Sequence, residues 1–477
     1  MSDYDIIVIG AGSGGYVAAI RAAQLGARVA IVEKDKAGGT CLNRGCIPTK
    51  TMIASTRLIE DINRADHFGI DIQGYKVDFG KIIERKNNIV DELVQGIYFL
   101  LKKNKIDLIE GEASLLDNKV VKVVREGQSQ EYKADNIIIA TGSRPFTLPQ
   151  FNYDGINVVS SKEALNFEDV PEKMVIIGAG YIGCEFASIY SALGCKVVLV
   201  ELMKQILPGE DRSTAKRMER LFNAKGIQVL TDSSVELVEI LDTMKEVSLR
   251  EESGESIKEL NNVLVHLKNG ETIKTEKVLV AVGRVPVTDG LGLNELGINQ
   301  DERGSIIVNN HLETNIPGVY AVGDVTGKVM LAHVASAQGI IAAENIMGKA
   351  KTMDYLSVPS VVFTNPELAR TGISFDEARK QGYRVKKGRF PYRANGKAKA
   401  MGEETGMVTL IADEETGRIL GGEVLGADAS NLISEITLAV KNGLTAEELA
   451  STIHAHPTLT ENIMEAAEDI LGMSIHS

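Results

Sequence analysis

A glycine pattern that occurs twice limits this chain more than any other feature. Residues 5–33 read DIIVIGAGSGGYVAAIRAAQLGARVAIVE, and residues 174–201 read MVIIGAGYIGCEFASIYSALGCKVVLVE. Each is a buried-strand run, a G-x-G-x-x-G turn, an Ala-rich helix closed by glycine, and a second apolar strand ending in glutamate. Gly10 and Glu33 are 23 positions apart, as are Gly178 and Glu201. In such a βαβ unit Gly10 and Gly178 make the tight turn, and Gly12 and Gly180 let the backbone approach a pyrophosphate. Gly15 and Gly183 let the helix pack on the strand. The helix N-terminus then offers N–H groups and a partial positive charge to the phosphates. Glu33 and Glu201 are placed to accept from a ribose, and a carboxylate there repels a 2′-phosphate, so Glu201 favours NAD over NADP. One glycine turn also serves plain packing, but two with matched acidic ends predict two dinucleotides in one chain, and electron transfer between them.

At 477 residues the chain exceeds one ordinary core and predicts about two to four domains. The net charge of -13, with no run of Lys or Arg, excludes a protein that binds nucleic acid by releasing counterions from phosphates. No apolar run approaches the ~20 residues of a bilayer span, and the chain enters its first strand too early for a secretion signal. A cytoplasmic location with no membrane partner is expected. Four cysteines in 477 residues are too few for a disulfide-stapled scaffold and fit a reducing compartment.

The intervening stretches fit an α/β scheme. DNIIIATGSRP (135–145) and KVLVAVGRVP (277–286) are each an apolar strand followed by glycine and proline, as when a strand leaves a sheet. Apolar spacing from Phe79 to Lys103 predicts a helix. The charged segment Asp242–Asn262 predicts a long hairpin or surface loop. After residue 346 the pattern changes to strands such as GMVTLIAD and ILGGEVLG, then helices from Ala429, which predicts a separate α+β domain.

The stretch GTCLNRGC (39–46) places Cys41 and Cys46 with four residues between them. Metal ligation lacks a second pair, because Cys184 and Cys195 belong to the second glycine repeat, and no metal is expected. A structural disulfide would close a very short loop with little entropic gain, in the wrong compartment. A redox-active pair remains. It follows the first dinucleotide unit directly and leads through IPTK into a helix with Lys50 in its first turn. Near the C-terminus, HAHPTLTE sets His456 before Pro457 and five positions ahead of Glu461, a carboxylate able to orient and charge-stabilise an imidazole. The near-neutral pKa of histidine suits a thiol that must be deprotonated. His454 reads as an ordinary structural histidine, and the His456–Pro457 bond is a candidate for the cis form.

At these residues the chain resembles the class I pyridine nucleotide–disulfide oxidoreductases. GGTCLNRGCIPTK is similar to their active-site signature, ATGSRP to the flavin-domain return strand, TNIPGVYAVGD to the second flavin motif and HAHPTLTE to the catalytic-histidine motif. The resemblance covers essentially the whole chain. It implies two Rossmann-like dinucleotide-binding domains and a C-terminal α+β dimerisation domain. The FAD-binding domain would take residues 1–150, the NAD-binding domain 151–277, a returning central segment 278–346 and the interface domain 347–477. FAD would lie against Gly10, Gly12, Gly15, Glu33, Thr40, Lys50, Thr141, Gly142, Gly283, Ala332 and Asp324, the last on the ribityl chain. NAD would lie against Gly178, Gly180, Gly183 and Glu201. Cys41 takes the role of interchange thiol, Cys46 that of the thiolate beside the flavin, and His456 with Glu461 that of the base. Lys50 and Glu185 resemble the ion pair beside flavin and nicotinamide, although Glu185 by position alone reads equally as a helix-start acid. The resemblance further implies a homodimer whose base reaches the cysteines of the other subunit.

Members that reduce mercuric ion carry extra C-terminal cysteines, whereas this chain has none after Cys195; the same absence disfavours the larger thioredoxin reductases. Glutathione-type reductases place arginines where this chain reads Glu201, Leu202, Met203. HAHPTLTE and FTNPELARTG resemble instead the members that oxidise dihydrolipoyl groups, and that resemblance implies oxidation of protein-bound dihydrolipoamide with NAD+ as the activity. The expected partner is the lipoyl domain of a 2-oxo acid dehydrogenase or glycine cleavage complex. The alternative is a glutathione-type reductase of a low-molecular-weight disulfide. A non-catalytic binding subunit would have no use for both cysteines, His456 and Glu461. Three residues depart from the pattern: Tyr181 resembles a nicotinamide gate of the glutathione-type enzymes but reads equally as a packing tyrosine, Arg44 sits between the cysteines, and Val287 replaces a frequent asparagine.

Overall fold

The structure, a computed structural model, describes residues 2–241 and 263–476; the hairpin or loop expected over Asp242–Asn262 lies outside them. The chain forms two compact units. One comprises Met1–Gly178, Leu193–Cys195 and Ser234–Met353, the other Ala179–Ala192, Lys196–Ser233 and Asp354–Ser477.

In the first unit the leading repeat becomes a parallel sheet. Tyr4–Ile9 lies between Val29–Glu33 and Gln128–Ile139, with Asp107–Glu110 beyond one neighbour and Val319–Ala321 parallel to the other. An antiparallel meander, Val120–Arg125 and Glu112–Leu115, continues from Gln128–Ile139. Parallel strands are covered on both faces and so read as continuous apolar runs. Ile6, Ile7, Val8, Ile137, Ile138 and Ile139 are fully buried, each burial worth roughly 1.5–3 kcal/mol. The helices Ser13–Gln24 and Ala332–Ile346 press together through glycine: a Cβ on Gly339 would stand 2.3 Å from the Gly14 carbonyl oxygen. The helix Phe79–Lys103 forms as its apolar spacing predicts, with the Asp78 carboxylate accepting from the Lys81 N–H at 3.1 Å.

The same unit holds Lys173–Ile177 and Lys277–Val280, parallel to each other and to Val158–Val159. Beyond their glycines, the two sequence stretches read as leaving a sheet pair with one another. Ser143–Pro145 runs antiparallel to Arg284–Pro286.

In the second unit Lys196–Val200 and Gln228–Leu230 pair in parallel, with the helices Tyr181–Ala192 and Arg212–Ala224 packed on them. The change of pattern after residue 346 is a five-stranded antiparallel sheet in the order Ser360–Val362, Glu367–Gly372, Ile419–Gly426, Met407–Asp413, Val385–Pro391. One face, carrying Phe390, Val408, Leu410 and Val424, is covered by Ile436 and Ile463 of the helices Ala429–Asn442 and Glu461–Leu471. Among the described residues no helix is long and apolar enough to cross a membrane.

Candidate active site

The first glycine turn sets the position of the thiols. Gly10 has φ +100°, and a Cβ there would meet the Ala140 carbonyl oxygen at 2.5 Å. The Glu33 carboxylate closes the turn from the end of the next strand: it accepts from Ala11 N–H at 2.8 Å and from Lys34 and Asp35 N–H at 2.9 Å. A carboxylate has lone pairs to spare beyond these three. Glu33 therefore holds the turn as well as presenting an acceptor.

From Asp35 the chain doubles back onto the turn. Gly38 N–H donates to the Ala11 carbonyl at 2.8 Å. A short helical segment, Gly39–Arg44 carrying Thr40 and Cys41, is followed by a long helix, Cys46–Asn63 carrying Cys46 and Lys50. Gly45 breaks them with φ -144° and ψ -112°, and a Cβ on it would press to 2.9 Å from the Thr40 carbonyl oxygen. That break folds Cys46 back beside Cys41, and the two side chains are hydrogen-bonded as a dithiol. The hydrogen bond with Cys46 pushes the Cys41 thiol up strongly and burial adds to it, while the Ser13 hydroxyl and the Lys50 ammonium pull the other way. Cys41 consequently keeps its proton, and Lys50 stands within electrostatic reach of the pair. Asn43, which sequence reasoning passed over, rivets the segment by donating to the Ala37 and Gly39 carbonyls, both at 3.0 Å. Arg44 is turned to Asp35 at 2.7 Å, so its charge is spent on an exposed pair rather than on a thiol.

The second flavin motif supplies Asp324, in the turn Gly323–Thr326. Its carboxylate accepts from the Ser143 hydroxyl and lies 3.9 Å from Arg284 Nε. Arg284 donates to the Ser143 hydroxyl and carbonyl, each at 2.7 Å, and is close enough to Cys46 to feel its charge. Ser143 and Arg284 were missed from the sequence, although both sit in the paired strands after the glycines of ATGSRP and GRVP. Thr141 donates its hydroxyl to the Val287 carbonyl at 2.6 Å, and Val287 N–H donates to Gly142 at 3.0 Å. Only backbone atoms of Val287 are used, so asparagine is not needed for these contacts. Gly283 takes φ +129° and accepts from Phe146 N–H at 3.0 Å.

These residues fit an FAD. The helix Ser13–Gln24 has glycine at its N-cap, no side-chain cap and no acid in its first turn; Ala332–Ile346, starting at Ala332, likewise has no side-chain cap and no first-turn acid. Their first N–H groups are open donors of the kind a pyrophosphate takes. A Cβ at Gly12 would find nothing nearer than 3.8 Å, which leaves room for a phosphate. A Cβ at Gly15, by contrast, would strike the Gly10 carbonyl oxygen at 1.8 Å, the close helix–strand packing its place in the motif requires.

The second repeat reproduces this chemistry. Gly178 has φ +100° and a Cβ there would meet Ala281 O at 2.5 Å. In the second unit Glu201 accepts from Ala179 N–H at 2.7 Å and Met203 N–H at 2.8 Å. Apart from its chain neighbours, a Cβ on Gly180 would have no atom within 4 Å, while Gly183 is buried in the helix Tyr181–Ala192, which has no acid in its first turn. That opening suits NAD. Glu185 is buried in the same helix and accepts from Phe363 N–H at 3.1 Å. It is therefore a buried acidic side chain that accepts from backbone rather than a surface helix-start acid.

His456 projects from the second unit with its side chain 79% exposed, its Nδ1 2.8 Å from Glu461 Oε1. Burial raises the Glu461 carboxyl, but the Thr458 N–H and the His456 ring outweigh it and bring it below its ordinary value. The ring is thus oriented by an ionised partner that the backbone fixes at 2.8 Å, leaving Nε2 pointed outward. The His456–Pro457 bond is cis. His454 is buried against Glu435 at 2.7 Å and Thr452 O at 2.8 Å, as the structural reading predicts. Among the described residues no group of three metal-ligating side chains occurs. A cleft of about 230 Å³ in the second unit, bordered by Arg217, Arg370, Lys387, Arg389 and Glu423, involves none of the expected site residues.

Comparison with known proteins agrees with this geometry. Residues 4–339 match the family model described as pyridine nucleotide-disulphide oxidoreductase, and residues 358–467 match its dimerisation domain. A dihydrolipoyl dehydrogenase of Chlamydia muridarum is 43% identical over 475 residues, covering 99% of this chain and 98% of that protein. One of Bacillus subtilis is 42% identical over 474 residues, covering 99% and 97%. Among solved structures, LpdA of Mycobacterium tuberculosis superposes with a TM-score of 0.89 at 30% identity, covering 97% of this chain and 99% of that one. The HOCl-induced flavoprotein disulfide reductase RclA of Escherichia coli, as its Cu(II) complex, gives 0.86 at 29%, covering 98% and 99%.

Proposed function

The chain belongs to the pyridine nucleotide-disulphide oxidoreductases, and from that premise we propose how its residues divide the work of a dihydrolipoyl dehydrogenase. It is a flavoprotein enzyme with FAD and NAD as cofactors and a dimerisation domain at its C-terminal end. The supporting observation above all others is the hydrogen-bonded pair Cys41 and Cys46, folded against the first glycine turn by Gly45.

His456 of one subunit, its Nδ1 held by Glu461, takes a proton at Nε2 from a dihydrolipoyl thiol bound at the other subunit's cysteines. The resulting thiolate attacks Cys41 Sγ and breaks the Cys41–Cys46 bond. The second substrate thiol displaces Cys41 from the mixed disulfide and passes its proton to Cys41 Sγ. The substrate leaves as a cyclic disulfide, and two electrons remain on the enzyme as the Cys41–Cys46 thiol–thiolate pair. With Cys41 pushed up by Cys46 and by burial, the first negative charge falls to Cys46, near the Arg284 guanidinium. The chemistry that FAD would supply when bound is acceptance of these two electrons and hydride transfer to NAD+. Gly10, Gly12, Gly15, Glu33, Thr40, Lys50, Thr141, Gly142, Gly283, Asp324 and Ala332 would hold it. Gly178, Gly180, Gly183 and Glu201 would hold the nicotinamide nucleotide, with Lys50 and Glu185 as charged groups at the two rings. Residues 1–150 and 278–346 would form the FAD-binding part, 151–277 the NAD-binding domain and 347–477 the interface domain. The substrate is taken to be the lipoyl domain of a 2-oxo acid dehydrogenase or glycine cleavage complex, in the cytoplasm.

The test is steady-state turnover of the flavin-loaded dimer with dihydrolipoamide and NAD+ against glutathione disulfide and NADPH. The first pair should exceed the second by at least about a hundredfold in kcat/KM, roughly 2.7 kcal/mol. The reverse order would assign the chain to the glutathione-type members.

A further inference from the structure

The loop between Glu201 and the helix Arg212–Ala224 is tied to the second glycine turn at several points. Glu201 holds its start through Ala179 N–H, and Leu207 N–H donates to the Ala179 carbonyl at 2.8 Å. Near its end, the Glu210 carboxylate accepts from the hydroxyl of Tyr181, the first residue of the helix Tyr181–Ala192. The same hydroxyl lies 3.2 Å from Ser360 Oγ. Glu210 is almost fully buried, its side chain 1% exposed, and its second oxygen is 3.3 Å from Arg370 Nε. Arg370 sits in register with Glu423 on the adjacent strand, and Glu423 accepts from the Thr214 hydroxyl. A chain of polar contacts therefore runs from the nucleotide turn into the antiparallel sheet. A buried carboxylate kept with a guanidinium is costly unless its geometry is fixed, and here three separate elements fix it.

The tether has a consequence for the space beside it. A Cβ on Gly180 would have no atom within 4 Å apart from those of its chain neighbours Ala179 and Tyr181, so the Tyr181 ring is the group placed to cover the opening where a pyrophosphate must approach the backbone. Tyr181 is the only large side chain between Gly180 and Gly183 that carries a polar tip, the other being Ile182. Freed of its anchor, the ring can rotate over the opening and compete with the nucleotide.

We propose that Glu210, paired with Arg370, is a positioning residue for the nicotinamide nucleotide: by clasping the Tyr181 hydroxyl it keeps the phenol ring off the Gly180 opening. This rests on the reading of the second glycine turn as the NAD site. Burial pushes the Tyr181 hydroxyl up to about 12 and the Glu210 carboxylate adds to the shift, so the phenol remains the donor in this contact at neutral pH.

The experiment measures NADH dissociation from the flavin-loaded enzyme by flavin fluorescence, together with KM for NAD+ and for dihydrolipoamide. If the released ring covers the opening about four-fifths of the time, apparent affinity falls about fivefold. Glu210→Gln and Tyr181→Phe should each raise the NADH Kd and the NAD+ KM by roughly that factor, leaving KM for dihydrolipoamide in place. Tyr181→Ala removes the ring, so adding Glu210→Gln to it should change nothing further. A purely structural role for Glu210 would weaken NADH binding equally in both backgrounds, and that result, or an unchanged Kd in Tyr181→Phe, overturns the proposal. NADH binding is read without the dithiol half-reaction, so a protein that obeys this pattern but fails to oxidise dihydrolipoamide retains the clasp and loses only the substrate assignment.

Discussion

A Cβ on Gly39 would stand 2.6 Å from the Cα of Gly12. The segment that carries the thiols thus starts against the backbone of the first dinucleotide turn, with no room for a side chain between them. Gly39 also takes φ +59°, a region that favours glycine. The contact ties two functions, phosphate binding and thiol placement, to one point.

Gly39→Ala should separate them. We expect the variant to lose bound flavin by about tenfold or more, read from the ratio of flavin to protein absorbance after purification, because the clash moves the Gly12 backbone that the phosphate must approach. Full flavin content together with normal turnover would mean the two segments are not coupled.

On the proposed reading Cys46 carries the negative charge in the two-electron-reduced enzyme, while the hydrogen bond with Cys46 and burial push the Cys41 thiol up. Reduction with one equivalent of dihydrolipoamide or NADH should give a long-wavelength charge-transfer absorbance. It should vanish in Cys46→Ser and persist in Cys41→Ser. Its survival in Cys46→Ser would exchange the roles of the two sulfurs.

The His456 ring is exposed but oriented by Glu461 at 2.8 Å. Removing a general base costs typically 10²–10⁴-fold. His456→Gln should slow dihydrolipoamide oxidation by roughly that range while flavin content stays normal. Glu461→Gln should cost less, since the ring stays and loses only its charged partner. Near-normal dithiol turnover in His456→Gln would place the base elsewhere.

Glu423 gives a stability signature. Burial lifts its carboxyl to about 7, the Thr214 hydroxyl pulls it down, and Glu210 and Asp211 push it further up. Above the ordinary carboxylate range the unfolded chain has released this proton while the folded protein still holds it. The stabilisation is therefore complete below about pH 4.5 and is lost as pH rises through 7. The full effect is on the order of 3 kcal/mol. Glu423→Gln should flatten the decline in thermal midpoint between about pH 5 and 8. An unchanged slope would mean that other buried carboxyls set it.

Much of the fold was legible because its signals are local. The period of apolar residues over Phe79–Lys103 and the continuous runs around Ile7 and Ile138 follow from helix and buried-strand geometry. HAHPTLTE likewise brings His456 and Glu461 together within one turn and helix start. The illegible part lies in contacts between distant segments. Ser143 and Arg284 are 141 positions apart and meet Asp324 only because two sheet exits pair. Arg44 sits between the cysteines in sequence, yet its charge goes to Asp35, nine positions earlier.

By itself the sequence made legible the two dinucleotide units, the neighbouring cysteines and the His456–Glu461 pair, because turn, helix and strand chemistry is written in spacings of a few residues. Only the tertiary structure decided that Arg44 turns to Asp35, that Val287 serves through its backbone, and that Tyr181 is anchored by Glu210 and Arg370. Those outcomes turn on burial and on which charges come within a few ångströms, and such distances exist only once the chain has closed on itself.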